Sequence, residues 1–173
     1  MKNLLISVAL VLMVGAVIAA TPLLDQINER GPTSHLLGVD ATKALATIRD
    51  FEEVTAANTI TFDECGMTYI LNSATEFAST LPAPEAGCSF RFIIKGAPSG
   101  ASYTVVTLVS TTQLIDGSLT VDGTAVPCVD EYTVTFADGS AAMGDQIELF
   151  SDGVGWFLQG VGEASGAITC TGG

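Results

Sequence analysis

The sequence predicts an all-β protein: an antiparallel β-sandwich or jelly-roll-like domain preceded by an N-terminal hydrophobic helix and a short arm. Three observations point there. From Asn58 onward, short runs rich in Val, Ile, Thr, Phe and Tyr recur between Gly, Pro and Asp-Gly turn signals, with no helical period among them. Within Tyr132–Phe136 and Gln146–Phe150 apolar and polar residues alternate. Tyr132, Val134 and Phe136 therefore share one face, as do Ile147 and Leu149, and the sheet buries one side. Hydrophobic residues make up 48% of the 173 positions and charged residues 14%, enough apolar material to offset the ordering entropy that would otherwise leave the chain unfolded.

The elements follow in order. Met1-Lys2-Asn3 places one positive charge before the apolar run Leu4–Ala20, which ends in small residues before Thr21-Pro22. Residues 1–20 thus have the plan of a secretory signal peptide, cleaved after Ala19 or Ala20. The rival is a retained membrane anchor: as a helix the run is about 25 Å long, short of the roughly 30 Å hydrocarbon core, though Leu23 and Leu24 extend it. Membrane contact, if any, runs through residues 4–20. Residues 21–57 read as an arm or linker that holds the single histidine, His35, with Arg30, Lys43 and Arg49. Asp40 is placed to cap a short helix with Ala41, Leu45 and Ile48 on one side.

Residues 58–173 form the β-domain. Its expected strands are Thr59–Phe62, Met67–Asn72, Phe77–Leu81, Ser89–Lys95, Tyr103–Ser110, Ser118–Val121, Tyr132–Phe136, Gln146–Ser151, Gly155–Gln159 and Ala167–Cys170. The breaks carry turn chemistry: Pro82-Ala83-Pro84, Ala97-Pro98-Ser99-Gly100, and Asp-Gly at 116–117, 122–123, 138–139 and 152–153. Phe90, Phe92, Ile94, Tyr103, Val105, Val134, Phe136, Ile147, Leu149 and Trp156 are the expected core.

Cys65, Cys88, Cys128 and Cys170 are the four cysteines, an even number in a chain that reads as exported, so disulfides are expected. None forms C-x-x-C, and with His35 far upstream a zinc site lacks its usual ligand spacing. Three connectivities are open. Cys65–Cys88 with Cys128–Cys170 is favoured, because the first closes a hairpin-sized loop and the second ties down the last strand.

The charge balance, 19 acids against six bases, gives a net charge of -13 and excludes wrapping of DNA or RNA, which needs a basic stripe. No base follows Lys95, while Asp116, Asp122, Asp130, Glu131, Asp138, Asp145, Glu148, Asp152 and Glu163 do. Such a surface suits a salty exterior that screens its self-repulsion. Asp130, Asp145 and Asp152 are weak candidates for a Ca²⁺ site, since hard oxygens fit that ion, but Asp-Gly is also a routine turn and no EF-hand is present. No cofactor is expected. No catalytic residue is assigned either: His35 has no G-x-S-x-G partner, Gly96-Ala97-Pro98-Ser99-Gly100 has its serine one place off that pattern, and any acidic surface supplies carboxylate pairs by chance. Trp156, Phe157 and Tyr103 offer a sugar-stacking platform, although a sole Trp in an alternating strand is more often a core anchor.

Residues 66–107, GMTYILNSATEFASTLPAPEAGCSFRFIIKGAPSGASYTVVT, and residues 144–160, GDQIELFSDGVGWFLQG, resemble a group of small β-rich structural proteins from marine phages and viruses. The carrying pattern is LNSATEF, LPAP, F-x-F-I-x-K and APSGASYT, followed by GD-x-I-x-L-x-SDG-x-x-W. The resemblance implies a non-enzymatic virion or surface component that assembles through β-rich faces, with no catalytic residue to transfer. The expected function is therefore an exported or virion-surface structural protein, secreted or anchored, that forms a homo-oligomer. The arm of one subunit is expected to meet the acidic half of the next. The alternative is an extracellular module for carbohydrate binding or Ca²⁺-dependent adhesion.

Overall fold

A computed structural model describes residues 50–73 and 75–172, and these are all-β. Twelve strands occur in chain order: β1 (Phe51–Val54), β2 (Asn58–Thr59), β3 (Thr68–Leu71), β4 (Phe77–Thr80), β5 (Ser89–Ile94), β6 (Tyr103–Val106), β7 (Ile115–Val121), β8 (Thr124–Glu131), β9 (Thr133–Phe136), β10 (Gln146–Ser151), β11 (Trp156–Gly162) and β12 (Ile168–Thr171). A single 3₁₀ turn, Phe62–Glu64, lies between β2 and β3. The sheets are a seven-stranded one, ordered β1-β3-β5-β10-β11-β7-β8, and a five-stranded one, ordered β12-β9-β6-β4-β2. Their inner faces enclose one apolar core, so the domain is sandwich-like.

The antiparallel expectation is corrected. From β1 to β7 each successive strand belongs to the opposite sheet. Strands two apart in sequence therefore return in the same direction and lie side by side, which makes β1–β3, β3–β5, β2–β4 and β4–β6 parallel. β7 and β11 also pair in parallel. Antiparallel pairing appears where the chain turns back within a sheet, at β7–β8 and β10–β11, and where later strands insert, at β5–β10, β6–β9 and β9–β12. Both sheets are thus mixed.

Three local differences have simple causes. The sheet begins at Phe51, within residues the sequence assigned to the arm; β1 went unread because its FEEV buries only Val54. The strand Thr124–Glu131 was also unread, because it is an edge strand that buries only Cys128 and contains Pro127. Asp116-Gly117 is not a turn: it lies inside β7, and Gly117, at φ 156°, is where the register of β7 on β8 shifts. A side chain there would have its Cβ 2.0 Å from the carbonyl oxygen of Leu158. Asp122-Gly123 is a true hairpin turn, with φ of 51° and 69° at the two residues, as a type I′ turn requires. The hydrophobic run 1–20, the helix after Asp40, and Arg30, His35, Lys43 and Arg49 lie outside the described residues.

All ten residues expected in the core are buried. The larger sheet contributes Tyr69, Phe90, Phe92, Leu149 and Trp156, the smaller one Phe77, Tyr103, Val134 and Phe136. Aromatic rings link up along it, with Tyr69–Phe92 centroids 5.2 Å apart, Phe90–Trp156 5.6 Å and Phe77–Tyr103 4.6 Å. One side of the sandwich is spanned by the short connection from β1 to β2. At the other, β8 passes through Tyr132 into β9, and Cys128 of β8 is bonded to Cys170 of β12, so a disulfide fastens one sheet to the other. Cys65, after the 3₁₀ turn, is bonded to Cys88 at the start of β5. Two disulfides suit an oxidising, extracellular compartment. Among the described residues no helix is long and apolar enough to cross a membrane.

Candidate functional site

Strand parity decides which side chains reach the outer face of the larger sheet. In β10 the buried residues are Ile147, Leu149 and Ser151; in β11 they are Trp156, Leu158 and Gly162. Gln146, Glu148 and Phe150 must then point outward with Phe157, Gln159 and Val161. The β10–β11 register places Phe150 opposite Phe157, Glu148 opposite Gln159 and Gln146 opposite Val161. Phe150 and Phe157 are 47% and 50% exposed, so half of each ring is open to solvent in a sheet whose inner aromatics are fully covered.

The hairpin loop sets this pair. Asp152 Oδ1 accepts the N–H groups of Val154 at 2.8 Å and Gly155 at 3.1 Å, and Ser151 Oγ accepts that of Gly153 at 3.0 Å. The bonds from Val154 and then Gly155 hold the Asp152 carboxyl below its ordinary range.

A polar row crosses the same face. Arg91 of β5 stands opposite Glu148 and donates from Nη2 to Gln146 Oε1. Gln159 Nε2 donates to Glu148 Oε2 at 3.1 Å, and Ser118 of β7 lies beside Gln159 in register. Thr120 lies beside Val161. Two shallow depressions follow this row: one of about 280 Å³ is lined by Glu148, Phe150, Phe157, Leu158 and Gln159. The other, of about 480 Å³, is lined chiefly by Arg91, Gln146, Glu148, Gln159, Ser118 and Thr120. They share Glu148 and Gln159, and so form one open trough.

Charge singles out this face. Arg91 and Lys95 are the only bases from position 50 onward, and both have the outward parity of β5. Lys95 Nζ lies 2.6 Å from Glu53 Oε2, and Asn72 Nδ2 donates to the other oxygen, also at 2.6 Å. The Lys95 bond first and the Asn72 bond second keep the Glu53 carboxyl below its ordinary range. The outer face of the larger sheet is therefore locally balanced on a domain that is otherwise acidic.

The stacking trio read from the sequence does not meet. Trp156 and Tyr103 are 1% and 0% exposed and belong to the core, and only Phe157 is at the surface. Its companion Phe150 went unread, although it has the parity opposite to Ile147 and Leu149. Tyr103 instead reaches between loops: its hydroxyl points at the carbonyl oxygens of Ser73 and Gly96 and accepts the N–H of Ser73 at 3.2 Å. The LNS and ASYT segments thus meet at one hydroxyl.

The Ca²⁺ candidates do not meet either. Asp145 is buried, and its carboxylate accepts the N–H groups of Ala142 at 2.8 Å and Glu163 at 2.9 Å, which fixes the loop before β10 to the end of β11. Asp152 caps its own turn, and Asp130, at φ 58°, donates its N–H to Asp116 Oδ1 at 2.9 Å. Among the described residues no group of three or more His, Cys, Asp or Glu side chains could hold a metal ion.

Neither a family model, a curated protein nor a solved structure matches the chain.

Proposed function

We propose that the chain is an exported, non-enzymatic structural protein of a virion or cell surface, which assembles into a homo-oligomer and presents the outer face of its larger sheet as the contact surface. Residues 1–20 serve in this reading as signal peptide or anchor. The observation that carries it is the conjunction on one face of a half-exposed aromatic pair, Phe150 and Phe157, with the only two bases from position 50 onward, Arg91 and Lys95. The outer face of the five-stranded sheet offers threonines such as Thr104, Thr135 and Thr169 and no charge, whereas this face carries opposite charges in neighbouring positions beside its exposed rings.

The arm adds to this assembly. Arg30, Lys43 and Arg49 offset the acids that follow position 95 in a neighbouring subunit. Because Phe51–Val54 form a strand of the larger sheet, a deletion that tests the arm must end at position 49. Removing residues 21–49 is expected to reduce the oligomer seen by multi-angle light scattering and to leave the β-rich circular dichroism intact. Equal assembly of the complete and shortened chains, or a monomer in both cases, would overturn this role for the arm.

A second reading, an extracellular binding module, is favoured by the row Arg91, Glu148, Gln159 and Ser118 beside the aromatic pair.

A further inference from the structure

We propose that the trough on the outer face of the seven-stranded sheet binds a neutral, β-linked polysaccharide, with Phe150 and Phe157 as its stacking platform and Gln146, Glu148, Gln159 and Ser118 as its hydroxyl-binding row. The inference rests on the reading of that face as the contact surface. A pyranose ring has an apolar C–H face and a rim of hydroxyl groups that both donate and accept. Half-exposed aromatic rings beside planar amide and carboxylate groups are complementary to both features.

Shape decides for the interior of a polymer rather than for a chain end. The two depressions share Glu148 and Gln159 and are partly open to solvent, so together they run across neighbouring strands. From β5 through β10 and β11 to β7 there are three inter-strand steps, about 14 Å at the usual strand spacing, enough for about three sugar rings in line. A flat face matches the ribbon-like form of a β-linked, equatorially bonded glycan better than a coiled α-linked one.

Charge decides for a neutral ligand. Arg91 stands opposite Glu148 and Lys95 is held by Glu53, so each base of this face has a carboxylate beside it that offsets its pull on a sulfate or uronate. The surrounding acids repel a polyanion. Glu148 in turn can accept sugar hydroxyls while it receives Gln159.

Native affinity electrophoresis of the full chain tests this, in gels containing barley β-glucan or xylan, with dextran as the α-linked control and alginate as the anionic one. Retardation is expected by at least one of the β-linked polymers and by neither control. Phe157→Ala and Gln159→Ala should weaken it about tenfold or more. Phe62→Ala, an exposed ring on the 3₁₀ turn, should leave it unchanged. Retardation by no β-linked polymer, equal retardation by dextran or alginate, or retardation that Phe157→Ala and Gln159→Ala do not alter, would each overturn the proposal. Light scattering of the same variants separates the two failures. If glycan binding is absent but Phe157→Ala changes the oligomer, the face remains a contact surface for protein. If neither binding nor oligomer responds, both readings of the face fall together.

Discussion

Asp152 shows how one side chain of the β10–β11 loop governs the aromatic pair on either side of it. Its carboxylate satisfies two consecutive backbone N–H groups, closes the loop, and so fixes Phe150 opposite Phe157. Those bonds favour the ionised form and lower the folded pKa beneath the ordinary value of 3.8. A carboxyl with a depressed folded pKa adds stability that is fully present above its unfolded pKa and disappears as pH falls through the folded one. Asp152→Ala should therefore lower the thermal midpoint at neutral pH, and the gap from the parent protein should close as pH drops below 3.8. A gap that persists in acid would mean that the loop is held by something other than this charge. At this scale much was legible. Alternation alone identified Val134, Phe136, Ile147 and Leu149 as buried. Gly117 was not legible, because Asp116-Gly117 and Asp122-Gly123 are the same dipeptide, and they differ only in the approach of the Leu158 carbonyl from a distant strand.

Among elements, the presence of strands was readable and their partners were not. A strand that buries one face shows period two whether its neighbour runs parallel or antiparallel, so FRFII and YTVV say nothing of direction. What sets direction here is the exchange of sheets at each connection from β1 to β7, a property of loops that turn across the sandwich rather than back along it. β8 escaped notice for another reason: it lies at an edge and buries only Cys128, the residue bonded to Cys170. That bond closes a separation of 42 residues and joins the edge strands β8 and β12 of the two sheets. Replacing both cysteines by serine should cost roughly 3–4 kcal/mol in the chain-entropy model. Urea unfolding measures the loss, and hydrogen exchange should accelerate first in β8 and β12 while β1 and β3 keep their protection. Uniform acceleration, or stability within about 0.5 kcal/mol of the parent protein by extrapolation, would show that the seam is held by packing instead.

The molecule as a whole sets attraction against repulsion with salt as the common variable. From position 50 onward only Arg91 and Lys95 oppose a long series of acids, and both lie on one face. Most carboxylates therefore see other carboxylates, and folding gathers them into a smaller volume. Raising ionic strength from 0.01 M to 1 M shortens the screening length from about 30 Å to about 3 Å, which removes nearly all of this long-range repulsion. It also weakens Lys95–Glu53, but that pair is solvent-exposed and contributes little, so the many repulsions outweigh it. The thermal midpoint of the domain should thus rise by several degrees with NaCl. Contacts between a basic arm and an acidic neighbour should respond in the opposite sense and loosen over the same range. Calorimetry and light scattering on one salt series therefore make a paired test, with greater stability expected alongside a smaller oligomer. A midpoint that stays flat or falls would mean that the acids are spaced too widely to repel. An oligomer that grows with salt would mean that apolar contact, centred on Phe150 and Phe157, outweighs charge in holding the subunits together.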